Sequence, residues 1–111
     1  MKISEQRQGA VIVLKPEGPL TEAEVPAFHK RVLETLTASL GRFVLDMSAV
    51  PFVDSKGLES LLDVTDELGK SGQVLRLCAA SKTLREALDL TDLASQFDHF
   101  EEANTAVRSF L

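Results

Sequence analysis

The sequence holds a single cysteine, Cys78, so it can form neither an internal disulfide nor a Cys-x-x-Cys redox or zinc motif. The surrounding Gln73-Val74-Leu75-Arg76-Leu77-Cys78 reads as a strand, which makes the thiol a small core residue rather than a reactive one. Long apolar runs are also missing. The longest is Ala10–Leu14, far short of the ~20 residues that span a bilayer. The opening Met1-Lys2-Ile3-Ser4-Glu5 has no apolar stretch of the ~7–15 residues found in secretory signals, so a cytoplasmic location is expected. Positive charge is scarce as well, with 12 Lys and Arg against 17 Asp and Glu and a net charge of −5. Without a basic run there is no footprint for nucleic acid, and none for anionic lipid or direct membrane insertion.

Catalytic signatures are absent too. The chain has no Gly-x-Ser-x-Gly, no Gly-x-Gly-x-x-Gly and no Gly-x-x-x-x-Gly-Lys-[Ser/Thr]. Its two histidines, His29 and His99, lie in unrelated segments without cysteine or carboxylate at ligand spacing, so no metal and no cofactor are expected. Both read as surface residues.

At 111 residues there is room for one domain with one core, and residues 1–111 are read as such. Two β-type runs, Lys2–Arg7 and Ala10–Leu14, flank a Gln8-Gly9 turn signal. Thr21-Glu22-Ala23-Glu24 has the form of a capping box, with Leu20 and Val25 placed for a hydrophobic staple. Val25, Phe28, Val32, Leu36 and Leu40 continue at helical spacing to a stop at Gly41, a helix of roughly 20 residues. Phe43–Met47 reads as a buried strand. From Lys56 to Lys70, Leu58, Leu61, Leu62, Thr65 and Leu68 form one stripe of a second helix. Val74–Ala79 is a further strand, and Ser81 or Thr83 can cap a third helix facing inward with Leu84, Ala87 and Leu88. Phe97–Phe100 and Glu101–Phe110 supply a last strand and helix. The order β-β-α-β-α-β-α-β-α predicts an α/β fold, a mixed but mostly parallel sheet with about four helices packed on it.

One segment carries more than its local propensity requires: Pro51-Phe52-Val53-Asp54-Ser55-Lys56-Gly57-Leu58-Glu59, between the buried strand and the second helix. Asp54 or Ser55 can cap that helix. Gly57 falls in the first turn, where glycine costs roughly 1 kcal/mol relative to alanine, so close approach to the backbone is expected there. A serine hydroxyl at a helix start can also carry phosphate, because unpaired N–H groups and the positive dipole end favour negative charge.

These residues resemble a known family. Val53-Asp54-Ser55-Lys56-Gly57-Leu58 after the strand Phe43–Asp46 is similar to the Asp-Ser-[Ser/Thr]-Gly-Leu mark of STAS domains of the anti-sigma factor antagonist type. Gly18-Pro19-Leu20-Thr21 matches the turn before the first helix, and Leu88-Asp89-Leu90-Thr91-Asp92-Leu93 resembles the family's Phe-Asp-x-[Ser/Thr]-Gly-Leu. Lys56 stands at the motif's second Ser/Thr, Thr21 at an acidic position and Asp92 at the later glycine. The resemblance implies a non-enzymatic regulator that binds a serine-kinase anti-sigma factor and is reversed by phosphorylation, with a serine phosphatase as a further partner. It places the phosphoacceptor at Ser55, with Asp54 orienting it and Gly57 admitting the kinase. Leu58 would anchor the helix or face the partner, and Thr21 and Lys56 would lie in the partner surface, Lys56 beside the phosphate. The other role the resemblance allows is a scaffold or accessory subunit, of a stressosome-type complex or a lipid-transport ATPase, without a serine switch.

Overall fold

The computed structural model describes residues 1–111 and contains the expected elements in the expected order. Strands β1 (Lys2–Gln8) and β2 (Val11–Glu17) form an antiparallel hairpin in which Gln8 pairs with Val11. That leaves a two-residue loop, and its first residue, Gly9, has a φ of 64° that other residues adopt only with strain. β2 runs past the expected Leu14 to Glu17, through Pro16. Proline is tolerated there because β2 pairs with β3 (Phe43–Asp46) only over Ile12–Leu14, so beyond that β1 is its sole neighbour. β4 (Leu75–Cys78) and β5 (Phe97–Phe100) complete a five-stranded sheet in the order β1-β2-β3-β4-β5, parallel from β2 onward.

Alternation along the strands splits the core in two. Ile12, Leu14, Phe43, Leu45, Leu75, Leu77 and Phe97 face one side. There they pack with Phe28 and Val32 of α1 (Val25–Ser39), Leu61, Val64 and Leu68 of α2 (Ser55–Gly69), and Leu84 and Leu88 of α3 (Lys82–Leu90). Val11, Val44 and Cys78 face the other side and meet Ala106 of α4 (Ala103–Arg108). The guanidinium of Arg76 lies 3.6 Å from the centre of the Phe110 ring, and its Nε donates to Ser109 Oγ at 2.8 Å, which fastens the chain end to this face. Cys78 is fully buried, and burial together with the nearby Asp46 pushes its thiol up to about 12. Val64, absent from the expected stripe of α2, is fully buried, and Thr65 is buried with its hydroxyl satisfied. That hydroxyl donates to Gln96 O at 2.8 Å and accepts from Leu75 N–H at 3.1 Å.

The first helix departs from expectation at both ends. It covers 15 residues rather than roughly 20, and no side chain caps its start. A helix capped by Thr21 would place Pro26 in its second turn, where proline lacks the N–H to donate to Glu22 O and its ring collides with that carbonyl. In the helix that forms, Pro26 sits in the first turn, where no donor is required. Thr21–Glu24 is a turn instead, with the Thr21 carbonyl, not its hydroxyl, accepting from Glu24 and Val25 N–H. At the other end Leu40, with a φ of 55° and 77% exposure, is left-handed ahead of Gly41, whose φ is 82°, rather than one more member of the apolar stripe. Bonds from Gly41 N–H to Leu36 O and from Leu40 N–H to Thr37 O close the helix as a Schellman motif. Asp92 ends α3 in the same way: its φ is 59°, Leu93 N–H reaches Leu88 O at 2.8 Å, and Asp92 N–H reaches Asp89 O at 3.1 Å. Of the two offered caps for α3, it is Ser81 that accepts from Leu84 N–H.

Candidate functional site

Helix α2 starts at Ser55, and Asp54 is its cap. Extended backbone at Asp54 turns the carboxylate over the first turn, where Oδ1 accepts from Gly57 N–H at 2.8 Å. The other oxygen, Oδ2, accepts from Glu22 N–H at 2.9 Å, across 32 positions of sequence. These two backbone donors, Gly57 first and Glu22 second, hold the Asp54 carboxyl below the ordinary 3.8. One carboxylate therefore fixes both the start of α2 and the approach to α1.

Backbone bonds reinforce the same junction. Leu20 N–H donates to Phe52 O at 3.1 Å, Asp54 N–H to Leu20 O at 3.2 Å, and Gly18 N–H to Ala49 O at 2.9 Å. Leu20 and Val53 form an isolated parallel bridge, so the segments entering α1 and α2 run side by side. Gly57 is buried against this junction. A Cβ there would lie 2.4 Å from Leu20 O and 2.5 Å from Val53 Cγ1. The close approach that the glycine predicted is made within the chain, by the Leu20 carbonyl and the Val53 side chain.

Ser55, by contrast, is exposed. Its position in the first turn places the hydroxyl at the positive end of a 15-residue helix, beside donors not committed inside the helix. Lys56 is exposed next to it, and its Nζ lies 3.3 Å from Glu59 Oε2. An exposed pair of this kind is worth ~0–1 kcal/mol, so the ammonium can exchange Glu59 for another anion at little cost. Leu58 is half-buried and packs on the main core. Thr21 is half-exposed on the segment that Asp54 holds through Glu22. The structure therefore brings Thr21 together with Asp54, Ser55, Lys56, Gly57 and Leu58. Leu20, Glu22 and Phe52 belong to the same junction, a role that no side-chain signal marked, because their contribution is mostly a backbone group facing another loop.

The site is a projecting helix end. The hollows of the molecule lie elsewhere, for example among Glu5, Arg7, Arg31 and Glu34, or beside Leu36, Leu40 and Gln73. No group of three His, Cys, Asp or Glu side chains is placed to hold a metal ion. His29 Nδ1 lies 3.4 Å from the buried Ser60 Oγ between α1 and α2, and His99 Nε2 lies 2.7 Å from Ala94 O, so both rings contact internal groups while remaining partly exposed.

The site is thus an exposed serine behind an aspartate cap, after the third strand of a five-stranded mixed sheet. The STAS domain model matches residues 2–106. This chain belongs to the STAS domain family. Solved structures repeat its fold. TM1081 of Thermotoga maritima superposes with a TM-score of 0.87 at 20% identity, covering 96% of this chain and 92% of that one. The anti-sigma factor antagonist SpoIIAA is similar in its unphosphorylated form, with a TM-score of 0.76 at 17% identity over 98% of this chain and 96% of that one. Its phosphorylated form from Bacillus gives 0.72 at 16% identity over 99% and 100%. The murine anion transporter Slc26a9 contains the same fold within a larger protein, with a TM-score of 0.74 at 21% identity over 95% of this chain and 18% of that one. No curated protein matches the sequence significantly. No helix of this STAS domain is long and apolar enough to cross a membrane.

Proposed function

We propose that this STAS domain is a non-enzymatic, cytoplasmic anti-sigma factor antagonist, which binds a serine-kinase anti-sigma factor and is released when that kinase phosphorylates Ser55, a serine phosphatase restoring it. The observation that carries the reading is the exposed Ser55 hydroxyl in the first turn of α2, held there by the Asp54 cap. A hydroxyl at a projecting helix end suits delivery into another protein's active site. Phosphorylation adds about −1.5 to −2 charges at this point. The helix N-terminus and Lys56 stabilise that charge within the domain, while a kinase still holding nucleotide phosphates opposes it across the interface. Similarity to SpoIIAA, solved in both phosphorylation states, supports the reading.

The test is calorimetry of wild type, Ser55→Ala and Ser55→Asp with the cognate anti-sigma factor, together with transfer of labelled phosphate from ATP. Ser55→Ala should bind like wild type and accept no phosphate, and Ser55→Asp should bind several-fold more weakly. Equal binding by all three, without transfer to Ser55, refutes the switch. That result would favour the second reading, a scaffold or accessory subunit without a serine switch, for which the occurrence of the fold inside an anion transporter is the supporting observation.

A further inference from the structure

Next to the hydroxyl, the surface of this face is apolar. Phe52 is 47% exposed, and Pro51 and Pro19 are exposed as well. The bridge between Leu20 and Val53 explains the placement. Leu20 is fully buried and Val53 packs partly on the same core, so both point inward. The preceding residue on each segment, Pro19 and Phe52, is exposed, so the bridge sets the two on neighbouring segments of one surface. Hydrogen bonds hold the backbone of both segments. The Phe52 carbonyl accepts from Leu20 N–H, Asp54 N–H returns the bond to Leu20 O, and the Asp54 carboxylate ties the next turn to Glu22. Proline adds a fixed φ of its own.

A preorganised aromatic residue beside a proline, exposed three residues before Ser55, is the kind of group that protein interfaces bury at their centre, because little conformational entropy is lost when it docks. The charges around it are uneven: Glu22, Asp54 and Glu59 surround the site against Lys56 alone, and Lys56 already contacts Glu59. We infer that Pro19 and Phe52 form the apolar anchor by which the Ser55 face docks on its protein partner, and that the partner receives them in an apolar pocket rimmed by lysine or arginine. The occupant is the serine-kinase anti-sigma factor, so the inference rests on the function proposed above. It extends that function by separating two roles. Phe52 supplies affinity, and Ser55 reports the phosphorylation state.

The separation is testable. Each serine-kinase anti-sigma factor encoded in the source genome is purified with ADP and Mg²⁺ and titrated with wild type, Phe52→Ala, Phe52→Leu and Leu90→Ala. Leu90 is the control, because it is 87% exposed on α3, away from the site. Phe52→Ala should weaken binding roughly tenfold or more, Phe52→Leu less, and Leu90→Ala not at all. With ATP, Phe52→Ala should raise the KM for Ser55 phosphorylation more than it lowers kcat, the mark of lost docking rather than lost chemistry. Added salt should weaken wild-type binding through the charged rim. Unfolding midpoints confirm that the variants fold, and Phe52→Leu carries the comparison if Phe52→Ala does not. Wild-type binding with undiminished binding by both Phe52 variants overturns the anchor while leaving the Ser55 switch standing, and salt-insensitive binding overturns the basic rim. If no kinase binds wild type, both this inference and the proposed function fall. A wild-type dimer in sedimentation that Phe52→Ala abolishes would assign the surface to a second copy of the chain and overturn the inference.

Discussion

Replacing Gly57 by alanine and, separately, Gly69 by alanine should change stability in opposite directions, although both residues lie in α2. Alanine is favoured over glycine in a helix interior by roughly 1 kcal/mol, and less at the last residue, so propensity alone stabilises both variants. At Gly69 nothing lies within 4 Å of the new Cβ, and a gain of ~0.5–1 kcal/mol is expected. At Gly57 the Cβ arrives 2.4 Å from Leu20 O and 2.5 Å from Val53 Cγ1, more than 1 Å inside an ordinary contact of ~3.5–4.0 Å. Neither neighbour can move cheaply. The Leu20 carbonyl is held by Asp54 N–H, the Leu20 side chain is fully buried, and Val53 is β-branched with few rotamers. Overpacking of this kind costs ~1–3 kcal/mol, and the larger part of that range applies where backbone must shift. After subtracting the propensity gain, Gly57→Ala should lose ~1–2 kcal/mol, about 4–8 °C in Tm for a chain of this size. Urea unfolding checks both variants, with unchanged m-values showing that the unfolded state is the same. If Gly57→Ala is as stable as Gly69→Ala, the packing of α2 against the Leu20 carbonyl is wrong, and with it the geometry that sets the position of Ser55.

Other perturbations test single features. Leu40→Gly should raise stability by about 1 kcal/mol, because a left-handed non-glycine residue costs ~1–2 kcal/mol and the exposed leucine contributes little packing, and thermal unfolding reads the gain. Asp54 titrates lower in the folded protein than its ordinary 3.8, so its contribution is complete above that value and is lost as pH falls through the lowered one. Asp54→Asn should therefore be less stable than wild type at neutral pH, and its stability should fall less steeply in acid, as urea midpoints across pH will show. Cys78, buried and with its thiol at about 12, should resist alkylation by iodoacetamide at pH 8 in the folded protein and react once urea unfolds it, as mass spectrometry will measure.

Much of this molecule was legible without coordinates. Leucine spacing in α2, the apolar runs of β3 and β4, and the Gln8-Gly9 turn are signals contained within a few residues, and each element formed within a residue or so of its signal, the turn itself falling at Gly9-Ala10. Asp54 and Ser55 were legible for the same reason, since a helix cap is a contact between residues three apart. The Thr21 capping box was an equally local reading, and Pro26, five positions on, was the local evidence against it. What only the tertiary structure decided was the junction between the two helix starts. The sequence required a glycine at position 57 to be approached closely, and did not say by what. Parallel packing of β2 beside β3 brings the segments that leave them together, so the Leu20 carbonyl fills the space over Gly57 and the Asp54 carboxylate reaches Glu22 N–H across 32 positions. Backbone carbonyls and N–H groups are present at nearly every residue, so no side-chain pattern marks the ones that will meet. Strand order selects them.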